Sequence, residues 1–171
     1  MEARWDLNRR KLRDLLERSS LDALVLVGEP NITYATGLRE PTGALIVTGG
    51  CGDYLVTSVL DYNRAAAGLP KDVEVKAYYR REGEAGVGTA MVPESDLVQG
   101  GFEDAVKQLL SRCGAKLVGV DLRWAGPDSA KVAQALGARD VSGDVARLRS
   151  VKEDWEVEAI GAAIAAAEQA F

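Results

Sequence analysis

Residues 21–47 read LDALVLVGEPNITYATGLREPTGALIV, and the fold follows from this stretch. Residues 23–27 are an apolar run without alternation, the pattern of a strand buried on both faces. Gly28-Glu29-Pro30-Asn31 breaks the run, a short helical turn passes through Tyr34, and Thr36-Gly37 stops it. A polar loop, residues 38–43, leads into a second strand at 44–47. A strand apolar on both sides needs cover on both sides, which makes the stretch the centre of a layered α/β domain. Its loop opens at a strand's carboxyl end, where α/β folds place recognition groups.

Upstream, residues 7–19 put Leu12, Leu15, Leu16 and Ser19 on one face of a helix and turn Arg9, Arg10, Arg13, Asp14, Glu17 and Arg18 away. Downstream, Thr48-Gly49-Gly50-Cys51-Gly52-Asp53 is a glycine-rich turn before a third strand at 54–57, which predicts an antiparallel hairpin. A phosphate cradle is the rival reading, but no helix start and no Lys-Ser/Thr pair follow it. Ser58-Val59-Leu60-Asp61 has the spacing of a capping box and opens a helix that Gly68 and Pro70 stop. Val73, Val75 and Ala77 alternate with Glu74 and Lys76, giving a fourth strand near a sheet edge. Residues 79–100 are too long for a simple connection and read as a mobile loop or a partner-dependent segment.

Residues 101–113 form an amphipathic helix with Phe102, Val106, Leu109 and Leu110 inward, closed by Gly114. Residues 116–120 are a buried strand ending at Asp121, Gly126-Pro127-Asp128 starts a helix that Gly137 ends, and 139–141 are a short last strand. The fold class is therefore α/β: a mixed sheet of about six strands with helices on both faces. Ser150-Val151-Lys152-Glu153 is a capping box, after which Val157, Ile160, Ile164, Ala167 and Phe171 recur at spacings of three and four. That stripe is expected to face another surface of a longer polypeptide; the alternative is a helix docked on its own sheet.

With 171 residues, 47% hydrophobic and 27% charged, the chain has globular usage. A net charge of -5 removes nucleic acid as the default partner. No apolar run approaches the ~18 residues of a membrane span. Cys51 and Cys113 lie far apart without CxxC spacing, and no apolar leader precedes them. The expectation is reduced thiols and a cytoplasmic location, a disulfide being the lesser alternative for a hyperthermophile's protein. The histidine count is 0, which excludes Ser-His-Asp and Cys-His catalysis and His-ligated metal within these residues.

Other candidates have structural explanations. Gly83-Glu84-Ala85-Gly86-Val87-Gly88 has the wrong order for dinucleotide binding. Asp53, Asp61 and Asp121, which with Asp144 could be proposed as a metal cluster, fit a turn, a cap and a strand end. Trp5, Trp124 and Trp155 suit a core or domain interface better than base stacking. Arg39, beside Glu40, is by default a solvated loop charge, but its fork at a strand's carboxyl end also suits a carboxylate.

Four motifs carry a resemblance. Leu-Asp-Ala-Leu-Val-Leu-Val with Asn31-Ile32-Thr33-Tyr34 and Thr36-Gly37 is one, and residues 54–57 running into Leu60-Asp61-Tyr62 are the second. Gly119-Val120-Asp121 is the third, and Leu148-Arg149-Ser150-Val151-Lys152-Glu153-Asp154-Trp155-Glu156 the most specific. In this order they resemble the N-terminal domain of the creatinase, prolidase and aminopeptidase P family. The resemblance implies residues 1–150 as that domain and 151–171 as the start of a linker helix, with Val157, Ile160 and Ile164 at an interface. It implies a further C-terminal domain of pita-bread fold, where two Asp, one His and two Glu hold two divalent ions (Mn, Co or Zn) that activate water against Xaa-Pro bonds. This chain would then be non-catalytic, serving homodimer formation and access to a neighbouring active site that holds the peptide substrate. Tyr34, Leu38 as an apolar wall and Arg39 as a carboxylate contact are the implied substrate-proximal residues. A free-standing peptide- or protein-binding module of the same fold is the alternative.

Overall fold

The computed structural model describes residues 4–80, 91–123 and 126–170. In chain order the elements are α1 (Arg4–Ser19), β1 (Ala23–Leu26), α2 (Glu29–Thr36), β2 (Ala44–Thr48), β3 (Asp53–Ser58), α3 (Tyr62–Gly68) and β4 (Val73–Tyr79). A 3-10 turn (Glu94–Asp96), β5 (Leu97–Gln99), α4 (Phe102–Arg112), β6 (Val118–Asp121), α5 (Pro127–Leu136), β7 (Arg139–Asp140), α6 (Ser142–Ser150) and α7 (Asp154–Ala170) complete it. The glycine run 83–88, Trp124, Phe171 and residues 81–90 of the supposed loop 79–100 lie outside the described residues.

The seven strands form one sheet in the order β5-β4-β3-β2-β1-β6-β7. Only β2 runs against its neighbours; the other pairings, β1 with β6, β3 with β4, β4 with β5 and β6 with β7, are parallel. Every residue of β1 and β2 is buried, as the continuous apolar runs require. Alternation along the strands splits the core in two. Leu24, Leu26, Leu45, Val47, Leu55, Val73 and Val75 pack under α1, α2, α3 and α6, while Val25, Ile46, Val56, Val98 and Val120 pack under α4 and α5. This is an α/β domain with helices on both faces.

The sheet has seven strands where about six were expected. The added strand, β5, lies within the supposed loop and pairs Ala77↔Leu97 to Tyr79↔Gln99. The box at Ser58 does not cap a helix as expected: α3 starts at Tyr62, and Asp61 occupies the cap position without a side-chain bond to the helix amides. Ser150 likewise turns back to bond Arg147 O at 2.6 Å and closes α6, and the amide of Glu153 is bonded by Glu156 Oε2 at 2.9 Å to open α7.

Arg9 is fully buried, not turned away. Its guanidinium bonds Ala35 O at 2.9 Å at the end of α2 and pairs with Asp6 and Asp72 at 2.5 Å each, while Asn8 Nδ2 bonds Tyr34 O at 2.8 Å. The pair thus satisfies helix-end carbonyls that α2 leaves open. Cys51 and Cys113 are joined, with Cα atoms 5.5 Å apart, so the expectation of reduced thiols is corrected. The hairpin turn and the end of α4 meet at one rim of the sheet, within bridging range.

Candidate functional site

All strands but β2 end at one rim, and β2 begins there. The loop 38–43 therefore sits among strand carboxyl ends, beside the end of β3. It is fastened on both flanks. Thr42 Oγ1 donates to Asp61 Oδ2 at 2.9 Å, which makes Thr57 Oγ1 the donor to Thr42 at 2.8 Å. Arg64 bonds Asp61 Oδ1 at 2.9 Å and Glu40 O at 2.7 Å. Burial would raise the Asp61 carboxyl, but the hydrogen bonds from Thr42, Arg64 and Ser58 outweigh it and hold it below its ordinary value. On the other side Thr33 Oγ1 bonds Leu38 O at 2.9 Å and Leu38 N bonds Thr36 Oγ1 at 3.2 Å. Gly43 closes the loop at φ 91, where a Cβ would stand 1.9 Å from Val56 O.

Leu38 is buried in the core, with Cδ1 2.6 Å from where a Gly68 Cβ would lie, so it plugs the loop onto α3. Arg39 is exposed, and among the described residues it has no hydrogen bond or ion pair. The result is an exposed guanidinium carried on a fixed loop.

Tyr34 lies beneath, in α2. Arg149 stands 5.5 Å over its ring, and its hydroxyl is buried without a partner among the described residues. Burial first, then the Glu156 carboxylate, raise its pKa against the pull of Arg149. Arg149 Nη1 bonds Asn31 Oδ1 at 2.6 Å, Asn31 Nδ2 bonds Asp121 Oδ2, and Asp121 Oδ1 takes the Arg123 amide at 2.9 Å. This chain of polar groups, with Asn31 and Asp121 buried at its centre, joins α2, the end of β6 and the end of α6. In the sequence Asn31 and Arg149 stand out only as members of motifs. A buried Asn in an apolar helix turn is the signal that a partner was needed.

The same corner anchors α7. Lys11 pairs with Glu153 at 2.5 Å, and Trp155 meets Trp5 edge-on at 5.1 Å. Trp155 Nε1, like the Tyr34 hydroxyl, is buried without a partner among the described residues. Beyond this point α7 buries nothing, and Val157, Ile160 and Ile164 are 56%, 48% and 54% exposed.

Among the described residues no three His, Cys, Asp or Glu side chains converge to hold a metal ion. Asp53 pairs with Arg13 at 2.5 Å, Asp61 with the loop, Asp121 with Asn31, and Asp144 lies 4.0 Å from Arg147. The dinuclear ligand set implied by the resemblance does not fit these residues. No described helix is long and apolar enough to cross a membrane.

A family profile described as Creatinase/Prolidase N-terminal domain matches residues 9–151. No curated protein sequence matches significantly. Among solved structures, the fold resembles the Xaa-Pro dipeptidase of Bacillus anthracis with a TM-score of 0.65 at 18% identity, over 90% of this chain and 38% of that one. The X-Pro aminopeptidase of Thermotoga maritima gives 0.65 at 15% identity, over 88% and 38%. The N-terminal domain of the cytoplasmic peptidase PepQ from Mycobacterium tuberculosis gives 0.58 at 21% identity, over 83% and 98%. The chain thus spans under two-fifths of the two longer proteins.

Proposed function

Because the chain belongs to the creatinase/prolidase N-terminal domain family, we propose that it is the non-catalytic N-terminal domain of a dinuclear-metal Xaa-Pro peptidase of prolidase or aminopeptidase P type. Residues 1–150 are the domain proper and 151–171 begin the linker helix. The two divalent ions, Mn, Co or Zn, belong to a further pita-bread domain, which covers Val157, Ile160 and Ile164. In a homodimer the loop 38–43 reaches a neighbouring active site, where Arg39 takes the substrate carboxylate and Leu38 is an apolar wall, with Tyr34 beneath the loop. The planar guanidinium can meet both oxygens of a carboxylate at once, which suits it to that task.

The observation that carries this reading is Arg39, exposed and without a partner among the described residues, on a loop fastened by Asp61, Arg64 and Thr33. In the two-domain polypeptide, Arg39→Ala is expected to raise KM for Xaa-Pro dipeptides about tenfold, equivalent to ~1.4 kcal/mol. An unchanged KM removes Arg39 from the substrate. The isolated chain, supplied with Mn, Co or Zn ions, is expected to turn over no Xaa-Pro dipeptide, and turnover there would end the non-catalytic reading. A cytoplasmic location belongs to the same proposal, by likeness to PepQ, and the Cys51–Cys113 bond weighs against it.

A further inference from the structure

The rim opposite the loop carries the Cys51–Cys113 bond. Cys51 is exposed in the β2–β3 turn, where Thr48 Oγ1 accepts from the amides of Cys51 at 3.0 Å and Gly52 at 3.1 Å. The Tyr54 hydroxyl donates to Cys51 O at 3.0 Å and lies 3.7 Å from Cys51 Sγ. Cys113, half-buried, is the cap at the carboxyl end of α4. Both cysteines line a surface pocket of about 240 Å³ with Gly49, Gly50 and Gly114, and a Cβ at any of these glycines would meet nothing within 4 Å. The bond thus lies at the protein surface, and the turn that presents Cys51 is already organised.

We propose that this bond is a thiol-exchange site of the folded protein, opened by a low-molecular-weight thiolate that attacks Cys113 Sγ with Cys51 as the leaving sulfur. The incoming sulfur bonds Cys113 Sγ as the Cys51–Cys113 bond breaks, and the electron pair departs on Cys51. A second thiolate then attacks the small-molecule sulfur of the mixed disulfide and releases Cys113 as thiolate. Two small thiols become one disulfide, the protein disulfide becomes two thiols, and the protons the small thiols gave up are taken by the two cysteines.

The direction follows from where charge develops. The sulfur that leaves faster is the one whose thiolate is better stabilised. A thiolate at Cys113 would form at the negative end of the α4 dipole. A thiolate at Cys51 has the Tyr54 hydroxyl at 3.7 Å, able to turn from the carbonyl to the sulfur. Asp22, which also lines the pocket, is held by the Lys116 and Leu117 amides at 2.8 Å each and keeps its charge on the α4 side.

The test is to incubate the folded chain with reduced glutathione, quench early with an alkylating reagent and map the peptides by mass spectrometry. The expected result is glutathione on Cys113 and the alkyl label on Cys51, at a rate linear in glutathione. Tyr54→Phe is expected to slow the opening by about threefold or more, the scale of one lost hydrogen bond. Glutathione found on Cys51, a rate independent of glutathione and equal to that of global unfolding, or an unslowed Tyr54→Phe chain would overturn the assignment.

Discussion

Tyr34 and Tyr62 are both 8% exposed, yet their hydroxyls fare differently. Tyr62 donates to Asp96 Oδ2 at 2.6 Å, which together with burial pushes its pKa up to about 12. The Tyr34 hydroxyl has been taken from water with no partner among the described residues. Removing it should therefore return as much as it loses: Tyr34→Phe is expected to change the unfolding free energy of this chain by less than about 0.5 kcal/mol, with Arg149 still over the ring. Tyr62→Phe is expected to lose about 1–2 kcal/mol, a hydrogen bond to a charged acceptor. Urea unfolding of the two variants decides, and equal losses would refute the contrast. If Tyr34→Phe is costly only in a two-domain polypeptide, the hydroxyl has its partner in the further domain. Asn31 and Arg9 mark the limit of legibility at this scale. The residue types were plain in sequence, but what they bond, Asp121, Arg149, Asp72 and the end of α2, is brought near only by the finished sheet.

Among the elements, β5 is held by a side-chain latch more than by its own pattern. Lys76 Nζ reaches Asp96 Oδ1 at 2.9 Å, Glu74 Oε2 at 3.0 Å and Ser95 O at 3.3 Å, and Tyr62 closes the other Asp96 oxygen. Burial alone would raise Asp96, but the bonds from Tyr62 and Lys76 hold it below the ordinary 3.8. A depressed carboxylate stabilises above its unfolded pKa and loses that contribution as pH falls through the folded one. The backbone NMR shifts of Leu97–Gln99 are therefore expected to move with a midpoint below 3.8, and to lose this step in Asp96→Asn. A step that survives the substitution would place the latch elsewhere. The buried strands β1, β2 and β3 were legible because apolar runs and glycine turns are local signals. A three-residue strand is not one, and α6 buries only Val145, with Gly143 in its first turn. The boxes at Ser58 and Ser150 had the right spacing, but Asp61 and Arg147 offered those hydroxyls nearer partners.

At the scale of the whole molecule, the Cys51–Cys113 bond closes a span of 62 residues that includes α3, β4, β5 and α4. Chain-entropy arguments put the stabilisation from such a loop at up to about 4 kcal/mol. The double variant Cys51→Ser, Cys113→Ser is expected to lower the urea midpoint accordingly while keeping its secondary structure, and an unchanged midpoint would mean that the bond restrains little in the unfolded chain. With two cysteines only one pairing is possible, but whether it forms depends on the hairpin turn and the end of α4 meeting at one rim, which no local pattern reveals. The central pairing of β1 with β6 has a temporal consequence. β1 gains its first neighbour, β2, at once, but Ala23 meets Val118 only after most of the chain exists. During synthesis the inner strand waits with one flank bare, a template for stray strands or a holdase. Stalled nascent chains should leave β1 open to protease until Asp121 has emerged from the ribosome, and guard it from then on.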